Sequence, residues 1–149
     1  MNEDYRDILA ALVAFRARFL IVGAHALAVH GYPRATVDID IWIDSTPENA
    51  ERVWNALASF GAPLKDLGIH VQDLTRPDVV AQFGLPPNRI DILTGVSGLT
   101  FHEAWATHVE EQVEGVRVPV IGLEDLLKNK RASGRDKDRA DVKGLEGRS

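Results

Sequence analysis

The stretch FLIVGAHALAVHGYPRATVDIDIWID, residues 19–44, constrains the fold more than any other part of the chain. It opens with FLIV (19–22), a run of the length of a short buried strand. Gly23 breaks the run, and Ala24, Leu27 and Ala28 then recur at helical spacing until Gly31 and Pro33. TVDIDIWI (36–43) alternates as a strand does. Side chains two apart on a strand share a face. Asp38 and Asp40 therefore project together, beside Thr36 and Trp42, while Val37, Ile39, Ile41 and Ile43 turn to the core. A strand, a glycine, a helix and a second strand with paired carboxylates point to an α/β unit with chemistry on one side of its sheet.

The rest of the chain supplies partners for that unit. Ile8, Leu9, Leu12, Val13 and Phe15 lie at helical spacing within residues 3–17. Ser45 or Thr46, Pro47 and Gly61 bracket a second amphipathic helix as N-cap, first-turn proline and C-cap. DVVAQFG (78–84) and NRIDILTG (88–95) read as strands joined through LPP, and TFHEAWATH (100–108) as a short helix or turn. VEEQV (109–113) and VRVPVIG (116–122) form a hairpin about Glu114-Gly115. LEDLLKNKRASG (123–134) and DKDRADVKGLEG (136–147) are helical, separated at Gly134. With 149 residues and no repeat or long linker, the expectation is one domain, 1–149, of α/β (α+β) class: a mixed sheet flanked by helices, with a helical C-terminus.

Composition narrows the chemistry. The chain has no cysteine, so disulfides and thiolate metal sites are excluded. The acidic MNEDYRD start lacks a signal-peptide pattern, and no apolar run approaches a membrane span, so a cytoplasmic protein is expected. The net charge of −5 divides unevenly. Residues 128–149 hold 8 Lys/Arg against 4 Asp/Glu, and residues 1–127 hold 9 against 18. A basic tail on an acidic body either meets an anion or is simply a solvated helix.

The aspartates admit two readings. Short D-x-D matches are usually solvent-facing residues of a half-exposed strand. Yet Asp is a poor strand residue, and two close carboxylates repel unless a cation intervenes. RIDIL (89–93) repeats the pattern, with Asp91 opposite Ile90 and Ile92. Were this strand beside 36–43, three carboxylates would share a face. Such a set holds two divalent ions about 3.5–4 Å apart, the clamp of in-line phosphoryl chemistry. Gly23 adds a strand-to-helix turn with open backbone N–H groups, a phosphate site in principle and otherwise only a turn. His25, His30, His70, His102 and His108 lack metal-ligand spacing, and His25 reads as a plain helix residue. Trp42, Trp54 and Trp105 read as core or interface, Trp42 being notable for sharing the aspartate face.

On the segments 19–41, 88–105 and 119–142 the chain resembles the DNA polymerase beta-like nucleotidyltransferase superfamily. It looks closest to the small bacterial branch that includes minimal nucleotidyltransferases and the nucleotidyltransferase toxins of abortive-infection systems. The resemblance implies that Asp38, Asp40 and Asp91 bind two Mg²⁺, or Mn²⁺, and serve catalysis. Gly23 and Ala24 match the position that contacts nucleotide phosphates, where the family carries glycine followed by glycine or serine. Arg34 lies in the RATVDID lead-in, and Lys130 and Lys137 match the basic C-terminal signature as triphosphate ligands. The implied reaction moves an NMP from an NTP to a hydroxyl of RNA, tRNA or protein, with a cognate partner protein if the chain belongs to a toxin–antitoxin pair. A non-catalytic module that neutralises a partner, and a phosphoesterase using the same carboxylates on water, are the rivals.

Overall fold

In a computed structural model, residues 2–32, 38–85 and 87–134 are described. Arg34, Lys137 and the helix expected over 136–147 lie outside the described residues. Among the described residues five α-helices and six strands follow in the order α1 (Glu3–Ala14), β1 (Phe19–Val22), α2 (Gly23–Val29), β2 (Asp38–Ile43), α3 (Pro47–Phe60), β3 (Val80–Phe83), β4 (Arg89–Leu93), α4 (Phe101–Ala106), β5 (Val109–Val113), β6 (Val116–Val120) and α5 (Leu123–Ser133). The strands form one mixed sheet in the order β3-β4-β2-β1-β6-β5. β2 runs parallel to β4 and antiparallel to β1, and β1 runs parallel to β6.

Local chemistry fixes most boundaries. Thr46 caps α3 by accepting from the Asn49 N–H, Pro47 fills the first turn, and Gly61 ends the helix at φ 98°. The β5–β6 turn takes two residues, Glu114 at φ 51° and Gly115 at φ 81°, the twist that suits a tight hairpin. Thr100 and Glu103 cap α4 reciprocally.

α1 and α3 pack on each other, α3 on β2 and α1 on β6. Ile8, Leu9, Leu12, Val53 and Leu57 join Ile39, Ile41, Ile43, Ile90 and Ile92 in a core from which water is excluded. Val13 and Phe15 of the expected apolar face remain exposed: the buried stripe of α1 is Tyr5, Ile8, Leu9 and Leu12, and the helix ends at Ala14 before Phe15. In α2 the buried pair is Ala26 and Leu27, with Ala28 exposed. Buried Asn49 has its side-chain groups satisfied: Oδ1 accepts from the Arg18 N–H at 2.6 Å, and Nδ2 donates to the carbonyls of Arg18 and Asp44. It thereby ties the start of α3 to the entry of β1 and the exit of β2. The 3-10 helix Val71–Thr75 between α3 and β3 has no counterpart in the strand and helix patterns of the sequence. Among the described residues no helix is long and apolar enough to cross a membrane.

Candidate active site

The β2–β4 register brings the carboxylates together. Ile39 faces Ile90 and Ile41 faces Ile92 across the parallel pair, all within the core. A slip of one residue would turn these isoleucines to water, so their burial fixes the register. The same register sets Asp40 against Asp91 and Asp38 against Arg89 on the opposite face. Apolar burial thus imposes a proximity that charge alone would resist. Gln82, across from Asp91 on β3, donates from Nε2 to Asp91 Oδ1 at 2.8 Å. Further along this face Trp42 meets the Phe101 ring edge-on at 5.3 Å and is 1% exposed. The face therefore changes from acidic to apolar within one strand, and Trp42 belongs to the core.

Gly23 is required twice over. Its φ of 67° is one that side chains rarely adopt, and a Cβ placed there would collide with the Asp40 carboxylate. The turn and the second aspartate are thus in direct apposition. Beside them a cleft of about 330 Å³ is lined by Val22, Gly23, Asp40, the loop from Leu93 through Gly95 to Ser97, and Asn129, Lys130 and Ser133 of α5. Asn129 Nδ2 donates to the Ser97 carbonyl at 2.9 Å, and Gly98 lets α5 approach so closely that a Cβ would strike Ala132. Lys130 is 6% exposed, a burial that a merely solvated helix lysine does not show. Ala24 stands in the first turn of α2 and is not among the cleft-lining residues.

A second layer surrounds the Asp38 end. Tyr5 of α1 is buried, and its hydroxyl lies 2.8 Å from the Arg89 carbonyl and 3.1 Å from that of Pro87. Burial first, then the charges of Asp38, Asp91, Glu114 and Asp40, push its pKa up to about 12. The hydroxyl thus stays protonated mainly because it is buried, with the carboxylates adding in the same direction. His25 meets the Tyr5 ring edge-on at 5.6 Å and sets Nε2 4.0 Å from Glu114 Oε1. Burial pulls its pKa below the ordinary 6.5, against the opposing pull of Glu114 and the Asp38 main chain. The sequence put His25 just beyond the Gly23 turn, within reach of a nucleotide though read as a plain helix residue, but gave no reason to place Tyr5, Gln82 or Glu114 here, since each depends on a contact between distant segments. The one local signal was a glutamate in the first position of a two-residue turn that favours Asn or Gly.

An all-carboxylate donor set suits Mg²⁺ or Mn²⁺, which prefer oxygen ligands. The missing Cβ at Gly23 lets the Asp40 carboxylate lie directly against the turn. The chemistry of these residues therefore fits a divalent ion. Among the described residues no three acidic or histidine side chains close around one point as a finished metal cage.

A family model described as nucleotidyltransferase of unknown function (DUF6036) matches residues 5–146. The fold superposes on the crystal structure of a candidate nucleotidyltransferase from Thermotoga maritima with a TM-score of 0.62, over 97% of this chain and 91% of that one. Sequence identity to it is 15%, so this likeness speaks for the fold. No curated protein matches the sequence.

Proposed function

This chain belongs to the DUF6036 nucleotidyltransferases, and from that premise we propose that it transfers a nucleoside monophosphate from an NTP to an acceptor hydroxyl. The observation that carries the reading is the pairing of Asp40 with Asp91, on the face that also holds Asp38, next to the Gly23 and Lys130 cleft. Asp38, Asp40 and Asp91 would hold Mg²⁺ or Mn²⁺, which when bound neutralises phosphate charge and lowers the pKa of a coordinated hydroxyl. Lys130 would meet the β- and γ-phosphates as a point charge, helped by the backbone N–H groups of the Gly23–Ala24 turn. Arg34 and Lys137 would add to this cation set from outside the described residues. The acceptor oxygen forms a bond to the α-phosphorus as the α–β bridging bond breaks. The hydroxyl proton passes to a carboxylate such as Asp91, and pyrophosphate leaves.

RNA, tRNA or a protein would supply the hydroxyl, and a role as the toxin of a toxin–antitoxin pair would add a cognate partner protein. The alanine at position 24 favours one other reading, a non-catalytic module of the same fold that regulates a partner. Incubation with each α-labelled NTP, Mg²⁺ or Mn²⁺, and total RNA or protein distinguishes them. Label in the acceptor fraction, lost in Asp38→Asn, supports transfer. Release of phosphate without incorporation supports hydrolysis, and inertness with every NTP and both metals supports the binding module.

A further inference from the structure

Glu114 holds a backbone conformation that suits other residues better. It is the first of two turn residues between β5 and β6, at φ 51°, where Asn, Asp or Gly are usual. A hairpin turn alone has no need of a carboxylate there. Such outliers are informative when the side chain has a task that the backbone must accommodate. The task here is visible. Glu114 Oε2 accepts from the main-chain N–H of Asn2 at 2.8 Å, and Oε1 lies 4.0 Å from His25 Nε2. The N-cap of α1, the first turn of α2 and the β5–β6 turn thus converge on one carboxylate.

His25 extends the connection to the site. It is two residues beyond Gly23, and its side chain is 12% exposed. The Tyr5 ring closes one side of it, and the Asp38 main chain lies alongside. Its Nδ1 is buried with no hydrogen-bond partner among the described residues. Held between Glu114, Tyr5 and the start of β2, the imidazole has little room to turn.

We propose that Glu114 and His25 form a strut that sets the Gly23 turn and Asp38 at their working separation, so that both act as positioning residues. The strut bears on the two elements that the proposed transfer reaction needs in fixed relation, the phosphate turn and the first carboxylate, and it rests on that reading for its purpose. Its geometry is independent of which NTP or acceptor is used.

The test compares Glu114→Gly, Glu114→Gln, His25→Ala and the double variant Glu114→Gly/His25→Ala. Glycine relieves the positive φ while removing the carboxylate. Glu114→Gly should keep its melting temperature, yet lower kcat for labelled NTP transfer about tenfold with a smaller change in KM. Glu114→Gln, which keeps an acceptor for Asn2 and a polar neighbour for His25, should recover most of that loss. The double variant should be no worse than the worse single one, because both remove the same connection. In amide NMR spectra Glu114→Gly should shift the signals of Gly23, Ala24 and Asp38. Unmoved signals at those amides, additive losses, or activity that falls only in step with melting temperature would overturn the strut. Should the unaltered protein transfer no nucleotide, the transfer reading fails by itself, and the amide shifts still decide the strut.

Discussion

The two faces of the β2–β4 pair differ as sharply as any two regions of this molecule. On one, Ile39, Ile41, Ile43, Ile90 and Ile92 are sealed beneath the core. On the other, Asp38, Asp40 and Asp91 share half-buried positions with Arg89, and exposed Gln82 borders them. The first face stabilises by removing hydrocarbon from water, at roughly 25 cal/mol per Å². The second sets aspartates side by side at half-buried positions, with Arg89 among them, and buries far less hydrocarbon. Stability and function are thus separated by the pleat of two strands. Between Asp38 and Ile41 a residue's parity along β2 decides which of the two its replacement disturbs; beyond them Trp42 is core on the aspartate side as well.

Replacing one residue on each face tests that separation. Asp40→Asn should reduce nucleotide transfer by a factor on the order of 10² or more. It should leave urea unfolding unchanged or slightly harder, since one repulsive charge is gone. Full Mg²⁺-dependent transfer by this variant would remove the carboxylates from the proposed chemistry. Ile41→Ala, one residue along, should do the reverse. It should cost about 2–5 kcal/mol in unfolding free energy while the folded fraction keeps its kcat. Equal losses of stability from both variants would dissolve the distinction between the faces.

Ligand binding should relieve the acidic face alone. Mg²⁺ with NTP at a hundredfold excess over Kd should add about 2.7 kcal/mol to stability. NTP without metal should add much less, and Lys130→Ala should reduce the gain. A melting curve unmoved by every NTP, with metal and without, would favour the binding-module reading.

Much of this was legible in the chain and some was not. FLIV, Gly23 and the D-x-D strand announced themselves through local period and a turn residue, as did the C-cap at Gly61 and an N-cap at Ser45 or Thr46, of which the structure uses Thr46. The equal alternation of RIDIL and VDIDI showed that Asp91 would stand opposite its isoleucines, but no local signal states which strand lies beside which. The parallel pairing of β2 and β4 is a property of the whole sheet. Lys130 was readable as a cation on a helix, yet its burial depends on how α5 meets the loop at Ser97 and Gly98. His25 looked like an ordinary helix residue because its neighbours, Tyr5 and Glu114, are 20 and 89 positions away.

The smallest expected effect is electrostatic and lies at the edge of the acidic face. Tyr5 ionises near pH 10.0 in an ordinary setting and at about 12 here. Its contribution to stability is therefore complete below pH 10 and is lost as the pH rises through the folded value. Denaturation followed between pH 9 and pH 12 should show this decline in the unaltered protein and a shallower one in Tyr5→Phe. Identical alkaline limbs would mean that the folded chain does not hold the Tyr5 proton beyond its ordinary pKa.

The pairing of β2 with β4 also orders events in time. Asp38 and Asp40 leave the ribosome together, but Asp91 follows 51 residues after Asp40, beyond α3 and the 3-10 helix. Contacts between segments so far apart in the chain form late, after the entropy of closing the intervening loop has been met. The Asp40–Asp91 pairing therefore exists only where β2 and β4 lie side by side, the same pairing that sets Ile39 against Ile90 and Ile41 against Ile92. A partly synthesised or partly folded chain holds two of the acids without the third. The acidic face is complete only in a chain that has finished folding.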